Sequence, residues 1–386
     1  MSSSNRGYLL LGVACLLASA FYDNVRGPLL PLFAESYGLD YSKTSAFLTA
    51  GSISSFLFAL LSVPLLSRWT ERGYLRFALV LQAGAVLCTA LGGSFVSLLL
   101  SGLLWGGGNT GIGLSSNLLT IRGSDEGNRS RLLNGLHVFY GLGSTLPAFY
   151  VAFAVGRHWS LAAMLAWTLL LLPALGLFSQ GVELGKPPSG SGSQGGWSTL
   201  LTRRALLANL CLSFYVMGEV LASMWLVTYL RDHSGMDVPH ASRVLQGFFL
   251  CLAAGRLLSA LFMRPSVEAA LQPLCILGGM GLLLCGLRGW TPGFALCALA
   301  MGPFYPLMLS SIVRDFPSEY PRLVSFANAV KTVALALGHL AIGTISDATS
   351  LHAAFFIPPA CLAISLALFF LRGSRMQPPV STHLRM

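Results

Sequence analysis

The stretch Phe21–Pro31 reads FYDNVRGPLLP and places Asp23, Asn24 and Arg26 inside a long apolar run. A charge at the centre of a bilayer costs roughly 2.5–3.5 kcal/mol on insertion scales, so residues of this kind within apolar runs point to function. Five ionisable side chains stand in such runs: Asp23, Arg26, Glu219, Arg256 and Lys331. The carboxylates Asp23 and Glu219 could take up and release a proton, and the cations could hold an anion or neutralise a carboxylate. Asp23 and Arg26 are three residues apart and can pair along one helix face. A neighbouring cation favours the ionised carboxylate, so Glu219 is the better candidate for proton coupling, with Asp23 second. Glu219 and Lys331 could instead bridge one another. Arg256 is nearer the inner end of its run and can snorkel to an interface.

Uncharged polar residues on the same runs extend the candidate substrate-binding set. With Asp23, Asn24, Arg26, Glu219 and Lys331 it comprises Asn109, Asn117, Asn134, His137, Tyr140, Gln246 and Asn328, all of which could line a cavity. Trp225 and Tyr305 could stack on a sugar ring or anchor packing, and His339 is close to mid-run. No catalytic nucleophile–base pair or metal cluster stands out, so an enzyme, a cofactor and a bound metal are not expected. The eight cysteines all fall in apolar runs without C-x-x-C spacing and read as small buried hydrophobes.

The elements that must hold these residues follow from composition. Of 386 residues, 54% are hydrophobic and only 10% charged, against about 25% charged in a soluble domain. Apolar runs of about 20 residues cross a bilayer as helices. Such runs cover 7–33, 45–67, 73–93, 94–121, 130–156 and 159–181, then 204–231, 241–263, 269–288, 289–313, 323–348 and 351–372. "LLASAF" near position 20 imitates a signal-peptide cleavage site, but a full span over 7–33 is the better reading. "LLWGGGNTGIGLSSN" is a run of small residues for close helix packing and lacks the Gly-Lys-Ser/Thr of a phosphate loop.

Between the sixth and seventh runs, "VELGKPPSGSGSQGGWS" reads as a flexible linker. The expected domains are an N-terminal six-helix bundle (1–181), a cytoplasmic linker (182–198) and a C-terminal six-helix bundle (199–386). Segments on the N-terminal side of the membrane hold sixteen Lys and Arg, and those on the other side five. The net charge of +10 is therefore a topology signal rather than a nucleic-acid patch, and both termini should be cytoplasmic. An offset of 197 aligns Gly38 with Gly235, Asp40 with Asp237, Ser45 with Ser242 and Leu48 with Leu245. Repeats of this kind hold a substrate at mid-depth between the halves. The fold class expected is an all-α membrane protein, twelve transmembrane helices in two pseudo-symmetric six-helix bundles.

Several stretches resemble the major facilitator superfamily, and within it the fucose–proton symporter group. "FYVMGEVLASMWLVTYL" (214–230) is similar to that group's seventh helix, "AAGRLLSALF" (253–262) to its eighth, "RLLNGLHVFYGLGS" (131–144) to its fifth, and "GTISDATSLHAAFFIPPAC" (343–361) to the close of helix eleven and helix twelve. The resemblance implies a secondary transporter of a small polar solute, a sugar first, driven by protons. It departs where the group's two proton-carrying acids fall, at Gly27 and Gly113, and Lys331 has no counterpart in its pattern. The alternatives are an anionic substrate such as a carboxylate or iron chelate, held by Arg26 and Lys331, or drug export. The expected partners are a small-molecule substrate, protons and the lipid bilayer, with no nucleic acid. A monomer in a cell membrane is expected, and the short loops lean towards a bacterial inner membrane.

Overall fold

The computed structural model describes residues 3–125, 129–185, 202–262, 267–316 and 319–372. Every element in them is helical, as a chain without water to bond its amides requires. Twelve helices are long and apolar enough to cross a membrane. They are α1 Ser3–Tyr37, α2 Tyr41–Arg68, α3 Glu71–Leu91, α4 Phe95–Arg122, α5 Arg129–Gly156 and α6 Leu161–Gly181, followed by α7 Arg203–Asp232, α8 Val238–Phe262, α9 Glu268–Leu287, α10 Pro292–Asp315, α11 Tyr320–Ala348 and α12 Leu351–Arg372. The expected linker begins within the described Val182–Gly185, and the rest of it lies outside the described residues.

Three spans are interrupted. In α10 the break falls at Gly302 and Pro303, where "PFYPL" places two imino acids that cannot donate to the helical ladder. In α6 it falls at Leu170, three residues before Pro173. In α12 it falls at Phe355 and Phe356, just ahead of Pro358 and Pro359. By contrast α1 runs unbroken through Pro28 and Pro31.

The internal repeat is visible as geometry. Gly38 and Gly235 both adopt positive φ, +60° and +66°, a conformation that glycine enters without strain. Two residues on, Asp40 caps α2 by accepting from Lys43 N at 2.7 Å, and Asp237 accepts from His240 N at 2.8 Å at the start of α8. These amides hold both carboxyls below the usual carboxylate range. At the second cap the carboxyl also meets the His240 ring at 2.6 Å. Ser45 and Ser242, Leu48 and Leu245 are all buried one turn further on.

The same offset relates Glu71 to Glu268, each opening a helix. Glu71 pairs with Arg122 at the end of α4, and Glu268 with Arg314 at the end of α10 (2.9 Å). Both pairs join the same two positions of their bundle. At the same end Asp315 takes Arg372 from α12 and, at 3.1 Å, Arg204 from α7. Tyr8 and Arg72 donate to the carbonyls of Glu183 and Val182 at 2.7 and 2.6 Å, which straps the chain after α6 onto the first bundle.

Hydrogen bonds between the first six and last six spans cluster at the opposite end, around the α1–α2 turn. Arg231 donates to Glu35 Oε2 at 2.6 Å and to the Pro31 carbonyl at 3.0 Å. Tyr41 donates its hydroxyl to Asp232 at 3.0 Å. Asp347 accepts from the amides of Tyr41 and Ser42 at 3.0 and 2.8 Å, so a carboxylate at the end of α11 caps α2 from the other bundle. Towards mid-depth, α1 meets α7 at Gly27 and Met224, and α5 meets α8 at Gly141 and Ala253.

Within the first bundle α4 packs through its glycines. A methyl group on Gly106 would lie 2.0 Å from the Gly51 carbonyl oxygen, and one on Gly108 would lie 2.7 Å from the Gln82 amide. These contacts are backbone, so no side-chain rotation relieves them. The cysteine reading needs one correction. Cys285 is exposed, because the outward face of a membrane helix meets lipid and an apolar residue gains nothing there from burial in protein.

Overpacking at such contacts costs about 1–3 kcal/mol or more. Gly106→Val should therefore lower the thermal unfolding midpoint of the detergent-purified protein by several degrees, while Gly281→Ala, whose added methyl meets nothing within 4 Å, should leave it unchanged. Differential scanning fluorimetry of both variants checks this. Equal midpoints would show that α2 and α4 do not pack through Gly106.

Candidate functional site

Two carboxylates, one from each bundle, stand in matching environments at mid-depth. Asp23 on α1 is held by Arg26 Nη2 at 2.5 Å and by the Tyr140 hydroxyl of α5 at 2.6 Å. Glu219 on α7 is held by Arg256 Nη2 of α8 at 3.3 Å and lies 2.8 Å from the Tyr215 hydroxyl. Each site is thus a carboxylate with one guanidinium and one phenol, all from its own bundle. The helix-face spacing of Asp23 and Arg26 produces the expected pair.

The partner of Glu219 differs from the Lys331 bridge considered on sequence, and Arg256 does not snorkel. Its guanidinium turns inward because α7 is the most enclosed span, with 72% of its apolar window buried against 28–50% in the others. There the Glu219 charge offers more than a distant interface. Arg256, which its depth along the helix assigns to an interface, and Tyr215, which sequence reasoning passed over, therefore join the site. Tyr215 is one helical turn before Glu219, a spacing that could have found it.

The two carboxylates differ in access. Asp23 keeps 37% of its side-chain surface exposed and Glu219 only 12%. Pairing therefore matters more for Glu219, since solvent screens an exposed charge. Arg26 is backed by Gly51 of α2, where a methyl would come within 3.1 Å of its Nη1. Among the described residues, Arg256 Nε has no hydrogen-bond partner.

Lys331 occupies a third position. Its ammonium donates to Asn328 Oδ1 at 3.0 Å and stands in the electrostatic field of both Asp23 and Glu219. It lines a narrow cleft between α7, α10 and α11, with room for about one water, and Ser213, Val216, Tyr305 and Asn328 are among the walls. Tyr305 in turn lies in the field of Arg256 and Glu219, and Tyr140 in that of Arg256. The two carboxylate groups and the lysine therefore share one interior region.

Other sequence candidates are placed differently. Asn24 spends its amide on the Ala20 carbonyl at 2.8 Å and on Ser144 at 3.0 Å, so it ties α1 to α5. Trp225 is fully buried and donates to His339 Nδ1 at 3.1 Å. It anchors packing and offers no face for stacking, because α7 is enclosed on all sides at that level. Asn109 is half-buried with its Oδ1 covered, Gln246 is half-buried, and Asn117 and Asn328 are exposed. The side chains of Asn134 and His137 lie outside the described residues, although both positions are within α5.

Removing one partner of a buried ion pair leaves an uncompensated charge, at a cost of about 3–5 kcal/mol. Arg256→Met and Glu219→Gln should each destabilise the protein, and the double variant should be less destabilised than the sum. A double-mutant cycle on thermal midpoints measures this coupling. Additive single effects would mean that the two side chains do not interact.

Among known proteins, no family model matches the chain, and no curated protein does. Solved structures do. A D-xylose–proton symporter aligns with a TM-score of 0.74 at 14% identity, covering 95% of this chain and 98% of that one. A bacterial homologue of the human lysosomal transporter Spinster, inward-facing and unoccupied, aligns at 0.72 with 15% identity, over 96% and 98%. A major facilitator superfamily transporter, FucP, in its outward conformation, aligns at 0.64 with 16% identity, over 96% and 100%. The chain has the major facilitator fold.

Proposed function

We propose that this protein is a secondary transporter that moves a small polar solute across a cell membrane by alternating access, coupled to protons through Glu219 and Asp23. The observation that carries the reading is the pair of matched carboxylates, one from each bundle, each held by a guanidinium and a phenol, with Lys331 in the electrostatic field of both. A carboxylate in the membrane interior is costly unless it serves such a site. The likeness of fold to proton-driven sugar carriers supports the same reading, with a hydroxyl-bearing solute first.

The bundles spanning 1–181 and 199–386 would rock about the linker 182–198. The bias of basic residues supports cytoplasmic termini; on that reading the end joined by Arg231, Tyr41 and Asp347 faces outward and the described state is an inward-facing one. Proton uptake at Glu219 would remove the charge that holds Arg256, so protonation and the packing of α8 on α7 would be coupled.

Two measurements test this. Proteoliposomes with an internal pH dye, supplied with pentoses, hexoses, hydroxy acids and amino acids, should show proton movement with one solute class. Glu219→Gln should reduce that flux at least tenfold. Spin labels at Lys43 and Thr349 should report two distance populations, with Arg231→Ala enlarging the longer one. A single distance under all conditions, together with solute-independent proton flux, would end the transport reading.

A further inference from the structure

We infer that the solute carries an anionic group, a carboxylate or a group of like charge and shape, and that Lys331 with Asn328 is the subsite that receives it. The inference rests on the transport reading above and narrows its substrate.

The argument begins with charge. The interior of the spans holds Arg26, Arg256 and Lys331 against Asp23 and Glu219, three cations less two carboxylates, or a net charge of +1. Each carboxylate is in contact with a guanidinium, Asp23 with Arg26 and Glu219 with Arg256. Those four charges cancel in pairs. Lys331 contacts an amide oxygen, Asn328 Oδ1, which can accept a hydrogen bond but carries no charge. The fields of Asp23 and Glu219 reach it, yet each of those anions is already committed to a nearer cation.

Position supports the same assignment. Lys331 is half-buried and lines the narrow cleft, whose other walls include Leu212, Ser213, Val216 and Tyr305. An ammonium has three donors. Among the described residues its one hydrogen bond is to Asn328, which leaves donors for an acceptor in the cleft. When the cleft closes and loses its water, an uncompensated charge is strongly disfavoured. A solute bearing one negative charge removes that cost, and a neutral solute does not. Closing is then favoured with the anion bound, which selects the acid over its neutral counterpart without any change in the remaining contacts.

Matched acids and neutral analogues separate the possibilities. Purified full-length protein would be heated with D-galacturonate or D-galactose, and with lactate or 1,2-propanediol, beside Lys331→Met, Lys331→Gln and Lys331→Arg. A saturating acid should raise the melting midpoint by about 2–4 °C, with no rise from its neutral partner. Affinity should fall at least tenfold in Lys331→Met and Lys331→Gln and recover in Lys331→Arg, since a hydrogen bond to a charged group is worth about 1.5–3 kcal/mol. Two neutralising variants guard against one that fails to fold. Equal stabilisation by neutral partners would overturn the anionic substrate, as would the absence of stabilisation by either acid. Acid binding unchanged in both neutralising variants would overturn the Lys331 subsite. In each of these cases the two distance populations at Lys43 and Thr349 would still stand, so failure here is distinct from failure of the transport reading.

Discussion

Charge neutralisation without water is the constraint on which the interior of this molecule is built. A carboxylate in a low-dielectric region is stable only with a cation and further donors around it. Asp23 and Glu219 meet that demand by the same recipe, one guanidinium and one phenol apiece. The recipe fixes neighbours in turn. Tyr140 draws α5 towards α1, and Arg256 draws α8 towards α7. The ends of the spans follow the same rule, where Glu71 with Arg122 and Glu268 with Arg314 tie the third span of each bundle to its fourth. Along α4 the contacts with α2 and α3 are made largely by small residues. Lipid offers little hydrophobic drive for association, so close backbone approach through Gly102, Gly106 and Gly108 supplies van der Waals contact instead.

Much of the fold was legible because the bilayer restricts the choices. Twelve apolar runs became twelve spans within a few residues of their expected ends, and the prolines of "PFYPL" mark the break in α10. The weak alignment at an offset of 197 also had physical content. Gly38 and Gly235 turn the chain in the same left-handed conformation, and Asp40 and Asp237 make the same cap. The symmetric Glu71 and Glu268 were open to the same subtraction. Both lie at span ends, where a charge reaches water and carries none of the cost that marks one at mid-span.

The site was less legible than the fold. Its carboxylates and Lys331 stood out as charges in apolar runs, but which cation meets which anion depends on how the helices rotate. Depth along a helix is a one-dimensional quantity, and it placed Arg256 near an interface. The packing of α8 against α7 carries its guanidinium to Glu219 instead. Trp225 illustrates the same limit. An indole on an enclosed helix and one on a cavity wall are identical in sequence, and only the neighbouring His339 decides between them.

The two kinds of ion pair also divide labour between rigidity and motion. Asp23, Arg26 and Tyr140 all belong to the first bundle, and Glu219, Arg256 and Tyr215 to the second, so rocking one bundle against the other breaks none of these contacts. The joint between bundles is made differently. Glu35 is 67% exposed and Arg231 30%, and ion pairs of that exposure contribute about 0–1 kcal/mol. Water can replace them at little cost, as it can replace the Asp347 carboxylate at the start of α2. Asp23 and Glu35 are twelve residues apart on α1, and Lys331 and Asp347 sixteen apart on α11, about 18 and 24 Å of helix respectively. Each of these helices therefore carries a weak contact at one end and a charged group at mid-depth. On the proposed alternating-access cycle, parting the weak contacts would move Asp23 relative to Lys331 while leaving both guanidinium pairs intact. The field at Lys331 would then be the electrostatic quantity that the motion changes, and the proposed anion would be the ligand placed to respond to it.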